Sequence, residues 1–78
     1  MEIRYKRFIT EVRPNGNQFE IRIYTDNVQK SLLEYFSIEI GRELLTGDDL
    51  DIEQFVKDYI DSEFTALRKL ADETEVSV

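Results

Sequence analysis

On both sides of Asn15-Gly16, apolar or Thr side chains recur at every second position: Phe8, Thr10 and Val12 before it, and Phe19, Ile21 and Ile23 after it. Period-two alternation around this dipeptide is the strongest short-range signal for a β-hairpin. With Asn15-Gly16 at the centre of a two-residue turn, Pro14 opposes Asn17. Val12 then opposes Phe19, Thr10 opposes Ile21, and Phe8 opposes Ile23. Opposed residues share a sheet face, so this set forms one largely apolar face. The other face carries Arg7, Ile9, Glu11 and Arg13 against Tyr24, Arg22, Glu20 and Gln18. Ile3 and Tyr5 fall out of phase with Phe8. That mismatch requires either a β-bulge near Lys6-Arg7 or a different pairing partner for the first residues, a second chain being one candidate.

Beyond the hairpin the period changes. Asp26 is placed as a helix N-cap with Gln29 at the third helical position, a capping box. Val28, Leu32, Phe36 and Ile40, joined by Leu33 and Leu44, form a helical stripe that predicts a helix from about Asn27 to Leu45. The competing signal is Phe36-Ser37-Ile38-Glu39-Ile40, which alternates like a short strand. Gly47 is read as a helix stop. A second start follows at Asp51, with Gln54 completing a capping box and Leu50 and Phe55 at the staple positions. Ile52, Phe55, Val56, Tyr59, Ile60, Phe64, Leu67, Leu70 and Ala71 continue at helical spacing. Glu63 falls near the centre of that apolar arc, where a carboxylate needs a partner or a proton.

The expected architecture is ββαα in the α+β class, an N-terminal hairpin packed against two helices in a single small domain. The hairpin spans about 2–25, the helices about 27–45 and 52–71, and a frayed tail 72–78 of the 78 residues. A chain of this length buries roughly 60% of its unfolded surface. Its core is therefore thin, and a homodimer is one way to complete it.

Charge changes the picture more than composition does. Residues 1–24 hold five basic and three acidic side chains, a net of +2, and the remaining 54 residues hold five basic and fourteen acidic, a net of −9. Within residues 43–63, Glu43, Asp48, Asp49, Asp51, Glu53, Asp58, Asp61 and Glu63 stand against Lys57 alone, a net of −7. The acidity is thus local to the segment between the helices and the start of the second. Acids at a helix start are favoured by its dipole, Glu53 and Lys57 stand at favourable i,i+4 spacing, and surface acids keep small proteins in solution. The functional counterpart is a surface complementary to a basic partner, which speeds association and rejects wrong partners.

Little chemistry is open to the chain. It contains no cysteine and no histidine, so disulfides, thiolate nucleophiles and the commonest zinc ligands are absent. Asp49-Leu50-Asp51-Ile52-Glu53 mimics the first ligand positions of an EF-hand loop. The match fails at Gln54, where Gly is required, and at Ile60, where the bidentate Glu belongs. No serine lies in a nucleophile elbow and no glycine-rich loop is available for phosphate. The expectation is a non-enzyme without cofactor or metal. The longest run free of Asp, Glu, Lys and Arg is six residues, Pro14 to Phe19, too short for a membrane span. Met1-Glu2-Ile3-Arg4 is not followed by the apolar stretch of a signal peptide. A cytoplasmic protein is expected.

Two binding readings remain. The leading one is a protein-interaction module, an inhibitor or regulator that meets a basic, nucleic-acid-handling protein. Its contact residues are Glu43, Asp48, Asp49, Asp51, Glu53, Asp58 and Asp61. Its analogy, of size and charge alone, is to small acidic phage or mobile-element products. The alternative is a dimeric nucleic-acid-binding regulator that uses Arg7, Arg13, Arg22 and Tyr24 on the outer hairpin face, basic groups beside a stacking aromatic. A strand followed by two helices loosely resembles the ribbon-helix-helix repressors. In those proteins the second helix start rests on DNA phosphate, which Asp48, Asp49 and Asp51 would repel.

Overall fold

The computed structural model describes residues 1–39 and 49–75. Four antiparallel strands come first: β1 (Glu2–Tyr5), β2 (Phe8–Asn15), β3 (Gln18–Thr25) and β4 (Leu32–Glu39). Two helices follow among the described residues, α1 (Asp49–Ser62) and α2 (Phe64–Glu75). The strands pair in the order β1-β2-β3-β4, each with its neighbour in sequence. The class is α+β, as expected, with twice the expected number of strands.

The β2–β3 hairpin forms around Asn15-Gly16-Asn17-Gln18, with Asn15 opposite Gln18 and Val12 opposite Ile21. The pairing is two residues away from the expected one. The turn is centred on Gly16-Asn17, and Gly16 takes φ 66° while Asn17 is not among the positive-φ residues. Gly at the first central position is the II′ arrangement, which matches the strand twist as well as an Asn-Gly I′ turn does. Because the shift is even, each side chain keeps its expected face.

The phase mismatch of Ile3 and Tyr5 resolves without a bulge and without a second chain. Lys6 and Arg7 form a second two-residue turn, both at positive φ (49° and 69°). Tyr5 then opposes Phe8 and Ile3 opposes Thr10. Ile3 thereby joins the apolar face and is buried.

The helix expected over 27–45 is not formed where the structure describes it. Leu32–Glu39 is a strand, and residues 40–45 lie outside the described residues. Strand pairing overrode the helical stripe because Phe36 and Ile38 extend the apolar face of β3, opposite Ile21 and Phe19. A register shift between Ile23 and Tyr24 pairs Ile23 with Glu34 and Tyr24 with Leu32. The extra residue, Leu33, packs against the core while Leu32 stands half exposed. The expected cap at Asp26 is replaced by a turn at Asn27. The Asn27 side-chain oxygen accepts from the backbone N–H of Gln29 (3.1 Å) and Lys30 (3.0 Å) and from the Thr25 hydroxyl (2.9 Å). An Asx turn thus reverses the chain where a cap would have started a helix. Val28, assigned to the core stripe, is fully exposed at its tip.

The expected helix over 52–71 is present in two pieces. Asp49 is already helical, so Asp51 lies inside α1 instead of capping it. Gln54 reaches forward to Asp58 (2.9 Å), the i,i+4 direction. Of the tail expected to fray over 72–78, Asp72 to Glu75 is helical, and residues 76–78 lie outside the described residues. Between the pieces lies Glu63, whose N–H still bonds Tyr59 O and whose carbonyl still accepts from Leu67 N, both at 2.9 Å. Glu63 is exposed, so the break there takes it out of the apolar arc.

One face of the sheet is covered by the helices, with α1 packed on β1 and α2 on β4. Ile3, Phe8, Val12, Ile21 and Ile23 meet Ile52, Val56, Ile60 and Leu67 in a single core. Burying each such side chain contributes roughly 1.5–3 kcal/mol relative to exposure. Among the described residues no helix is long and apolar enough to cross a membrane.

Candidate functional site

α1 buries Ile52, Val56 and Ile60 and turns the opposite side outward. That outer side carries Glu53, Gln54, Lys57, Asp58 and Asp61, an acidic ridge on a helix held by its apolar face. Glu53 is partly exposed and Lys57 lies 3.7 Å from it, the expected i,i+4 pair. Asp58 accepts from Gln54 and keeps an exposed carboxylate. Of the remaining acidic candidates, Glu43 and Asp48 lie outside the described residues, as do the side chains of Asp49 and Asp51.

Asp61 is placed differently from its neighbours. The Lys6 ammonium lies 2.5 Å from its Oδ1, and the Tyr5 hydroxyl lies 3.1 Å from both carboxylate oxygens. The Lys6 hydrogen bond holds the Asp61 carboxyl below the ordinary carboxylate range, outweighing the opposing effect of desolvation. The same bond raises Lys6. Desolvation first and the hydrogen bond to Asp61 second raise the Tyr5 phenol. The sequence map separates a basic hairpin from an acidic helix; the fold joins them at this contact. Asp61 therefore fixes the acidic ridge to the β1–β2 turn.

The residues of the alternative site are not gathered on one surface. Arg13, Arg22 and Tyr24 stand on the sheet face away from the helices, whereas Arg7 sits in the β1–β2 turn. The outer arginines are interleaved with acids. Arg13 lies 3.9 Å from Glu11, and Arg22 lies 3.6 Å from Glu20. Glu11 also receives Lys30 at 3.1 Å, whose hydrogen bond is the main cause of its lowered pKa. Tyr24 donates to Glu11 at 3.5 Å. Arg22 in addition lies 4.5 Å from the centre of the Tyr35 ring, and Tyr35 donates to Glu20 at 3.1 Å. Tyr35 belongs to this face because residues 32–39 form a strand; the alternation from Phe36 to Ile40 was the signal that could have placed it. Among the described residues, no group of three or more Asp, Glu, His or Cys is arranged to hold a metal ion.

No family model, curated protein or solved structure matches the chain.

Proposed function

We propose that this protein is a non-enzymatic interaction module that presents the acidic side of α1 to a basic surface on another protein. The observation that carries the reading is the anchoring of the ridge. The helix that bears Glu53 and Asp58 is pinned by its buried face and by the Lys6–Asp61 contact. A charged surface already held in place loses less conformational freedom on binding than a mobile acidic segment would. It also steers an oppositely charged partner toward a defined orientation. A basic protein that handles nucleic acid fits this chemistry, with the acidic ridge occupying a surface made for phosphates. Inhibition or regulation of such a partner is the corresponding role.

The alternative, direct nucleic-acid binding by Arg7, Arg13, Arg22 and Tyr24, draws less support from the geometry. Glu11 and Glu20 lie beside the arginines that a phosphate backbone would need. An outer face of alternating charge suits protection of an open sheet surface from aggregation.

The test compares the parent protein with a Glu53→Lys/Asp58→Lys variant and an Arg13→Glu/Arg22→Glu variant. Each is used to capture partners from lysate and is titrated with single- and double-stranded DNA and RNA at low salt. Loss of a discrete captured protein in the acidic-ridge variant alone is expected. Identical capture by that variant and the parent would overturn the reading, and salt-sensitive nucleic-acid binding abolished in the arginine variant would favour the alternative.

A further inference from the structure

The cleft between the β1–β2 turn, the β3–β4 loop and α2 has a volume of about 310 Å³ and is lined by three cations, Lys6, Arg7 and Arg68. Ligand pockets run from roughly 300 to 1,000 Å³, so this one suits a small molecule or the end of a chain. Phe8, Phe64 and Ala71 give it an apolar floor, and Lys6, Arg7 and Arg68 stand at its walls with Asp26 and Asp72. The Phe8 and Phe64 rings meet edge to face at 6.1 Å, which fixes that floor.

Several of these charges are already matched. Lys6 is paired with Asp61 and Asp26 lies 3.6 Å from Arg4. Arg7 and Arg68 make no ion pair among the described residues; the Arg68 guanidinium lies 6.0 Å from the centre of the Phe64 ring. Three cations against two carboxylates leave the cleft one positive charge in excess, in a chain whose net charge is −7.

The turn that supplies Arg7 is costly in its own right. Two-residue turns with both central residues at positive φ are normally Asn-Gly or a close relative, because residues with a Cβ are strained there. Here the positions are Lys6 at 49° and Arg7 at 69°. Strained backbone that a cheaper sequence would avoid concentrates at binding sites. The Asp26 N–H donates to the Arg7 carbonyl at 3.1 Å, one rung beyond the Phe8–Thr25 pair, and ties this turn to the β3–β4 loop beside it.

We propose that the cleft binds a singly charged carboxylate carried on an aromatic or apolar body. The carboxylate sits with the Arg7 and Arg68 guanidinium groups, and the body lies on Phe64 and Ala71. Guanidinium groups match carboxylates in planar, charge-assisted hydrogen bonds. The single excess charge favours a carboxylate over a doubly charged phosphate. Such a group comes either from a free aromatic acid or from the carboxyl end of a peptide that finishes in an aromatic residue.

The experiment follows backbone amide shifts by NMR while the full chain is titrated with 2-naphthoate, with its neutral amide, and with a short peptide ending in Phe, carboxylate free or amidated. Saturable shifts at Arg7, Phe64, Arg68 and Ala71 are expected with at least one of the carboxylates and with neither amide. Arg68→Gln and Arg7→Gly are each expected to weaken binding about tenfold or more, while Lys69→Gln, on the same helix outside the cleft, leaves it unchanged. A higher melting temperature for Arg7→Gly separates loss of the ligand from loss of the fold. Tighter binding of the peptide assigns a chain terminus as the source, and tighter binding of naphthoate assigns a free acid. Equal shifts from acid and amide, absence of saturation through the millimolar range, or full binding by Arg68→Gln would overturn the proposal.

Discussion

The hydroxyl of Tyr59 on α1 donates to the carboxylate of Glu34 on β4 at 2.5 Å. Glu34 opposes Ile23 and so points toward the helices from the apolar side of the sheet. The Phe36 ring stacks at a tilt on Tyr59 at 4.8 Å, so the contact is partly shielded from water. Replacing Tyr59 with Phe leaves the carboxylate without this donor, at an expected cost of about 1–2 kcal/mol. Urea unfolding at neutral pH measures it.

The same pair sets an alkaline limit. Burial first, and the hydrogen bond to Glu34 second, raise the Tyr59 phenol well above its ordinary value of 10.0. A raised folded-state pKa means that the native chain holds a proton the unfolded chain releases. The stabilisation is complete below pH 10 and is lost as pH rises through the folded value. The Tyr59→Phe variant is expected to lose less stability than the parent above pH 10, measured as the change in urea midpoint with pH.

Asp61 works in the opposite direction. Its lowered pKa, set mainly by the hydrogen bond from Lys6, contributes stability above the ordinary aspartate value of 3.8 that is lost as pH falls through the folded value. Asp61→Asn is expected to flatten the acid limb of the stability profile below pH 4, and to flatten the alkaline limb as well, because the same contact raises Lys6 and Tyr5. An unaltered acid limb would show that this contact adds nothing to folding.

Thr10 is fully buried between Ile3 and Ile23, and its Oγ1 has no hydrogen-bond partner among the described residues. Valine has nearly the same shape without the hydroxyl. Thr10→Val is expected to stabilise the protein by about 1 kcal/mol, the desolvation cost of an unpaired polar group. Thermal unfolding of the two proteins provides the check.

Arg7→Gly is expected to stabilise by about 0.5–1 kcal/mol. Relief of the left-handed strain at φ 69° outweighs the extra freedom glycine gives the unfolded chain. Calorimetric melting reads the change directly, and a lowered midpoint would mean that the Arg7 side chain holds the turn together.

These features were unequally visible in the chain. The face pattern of Phe8, Thr10, Val12, Phe19, Ile21 and Ile23 could be read because alternation is insensitive to an even slip in register. The slip itself could not, since Asn15-Gly16 and Gly16-Asn17 both make good hairpin turns. Lys6-Arg7 carries no turn signal at all; only the mismatch of Ile3 with Phe8 betrayed it. In the β3–β4 loop and β4, Val28, Leu32 and Phe36 happened to fall at helical spacing. The distinction rested on β3, whose Ile21 and Phe19 needed apolar neighbours across the sheet. Among the candidate residues, Glu53 and Asp58 lie on the outward side of α1 as helical spacing implies. The engagement of Asp61 by Lys6 and Tyr5 depends on residues more than fifty positions apart, and no local pattern encodes it.

The order β1-β2-β3-β4 means that every strand finds its partner across a short connection. Two of the connections are two-residue turns at Lys6-Arg7 and Gly16-Asn17, and the third is the Asn27 loop. Closing such loops costs little chain entropy, and topologies dominated by local contacts cross their folding barrier quickly. The sheet can therefore zip outward from its turns, while α1 and α2 must wait for an apolar surface on which to settle. Mutations in the turns should accordingly slow folding, and mutations at Ile60 or Leu67 should chiefly hasten unfolding.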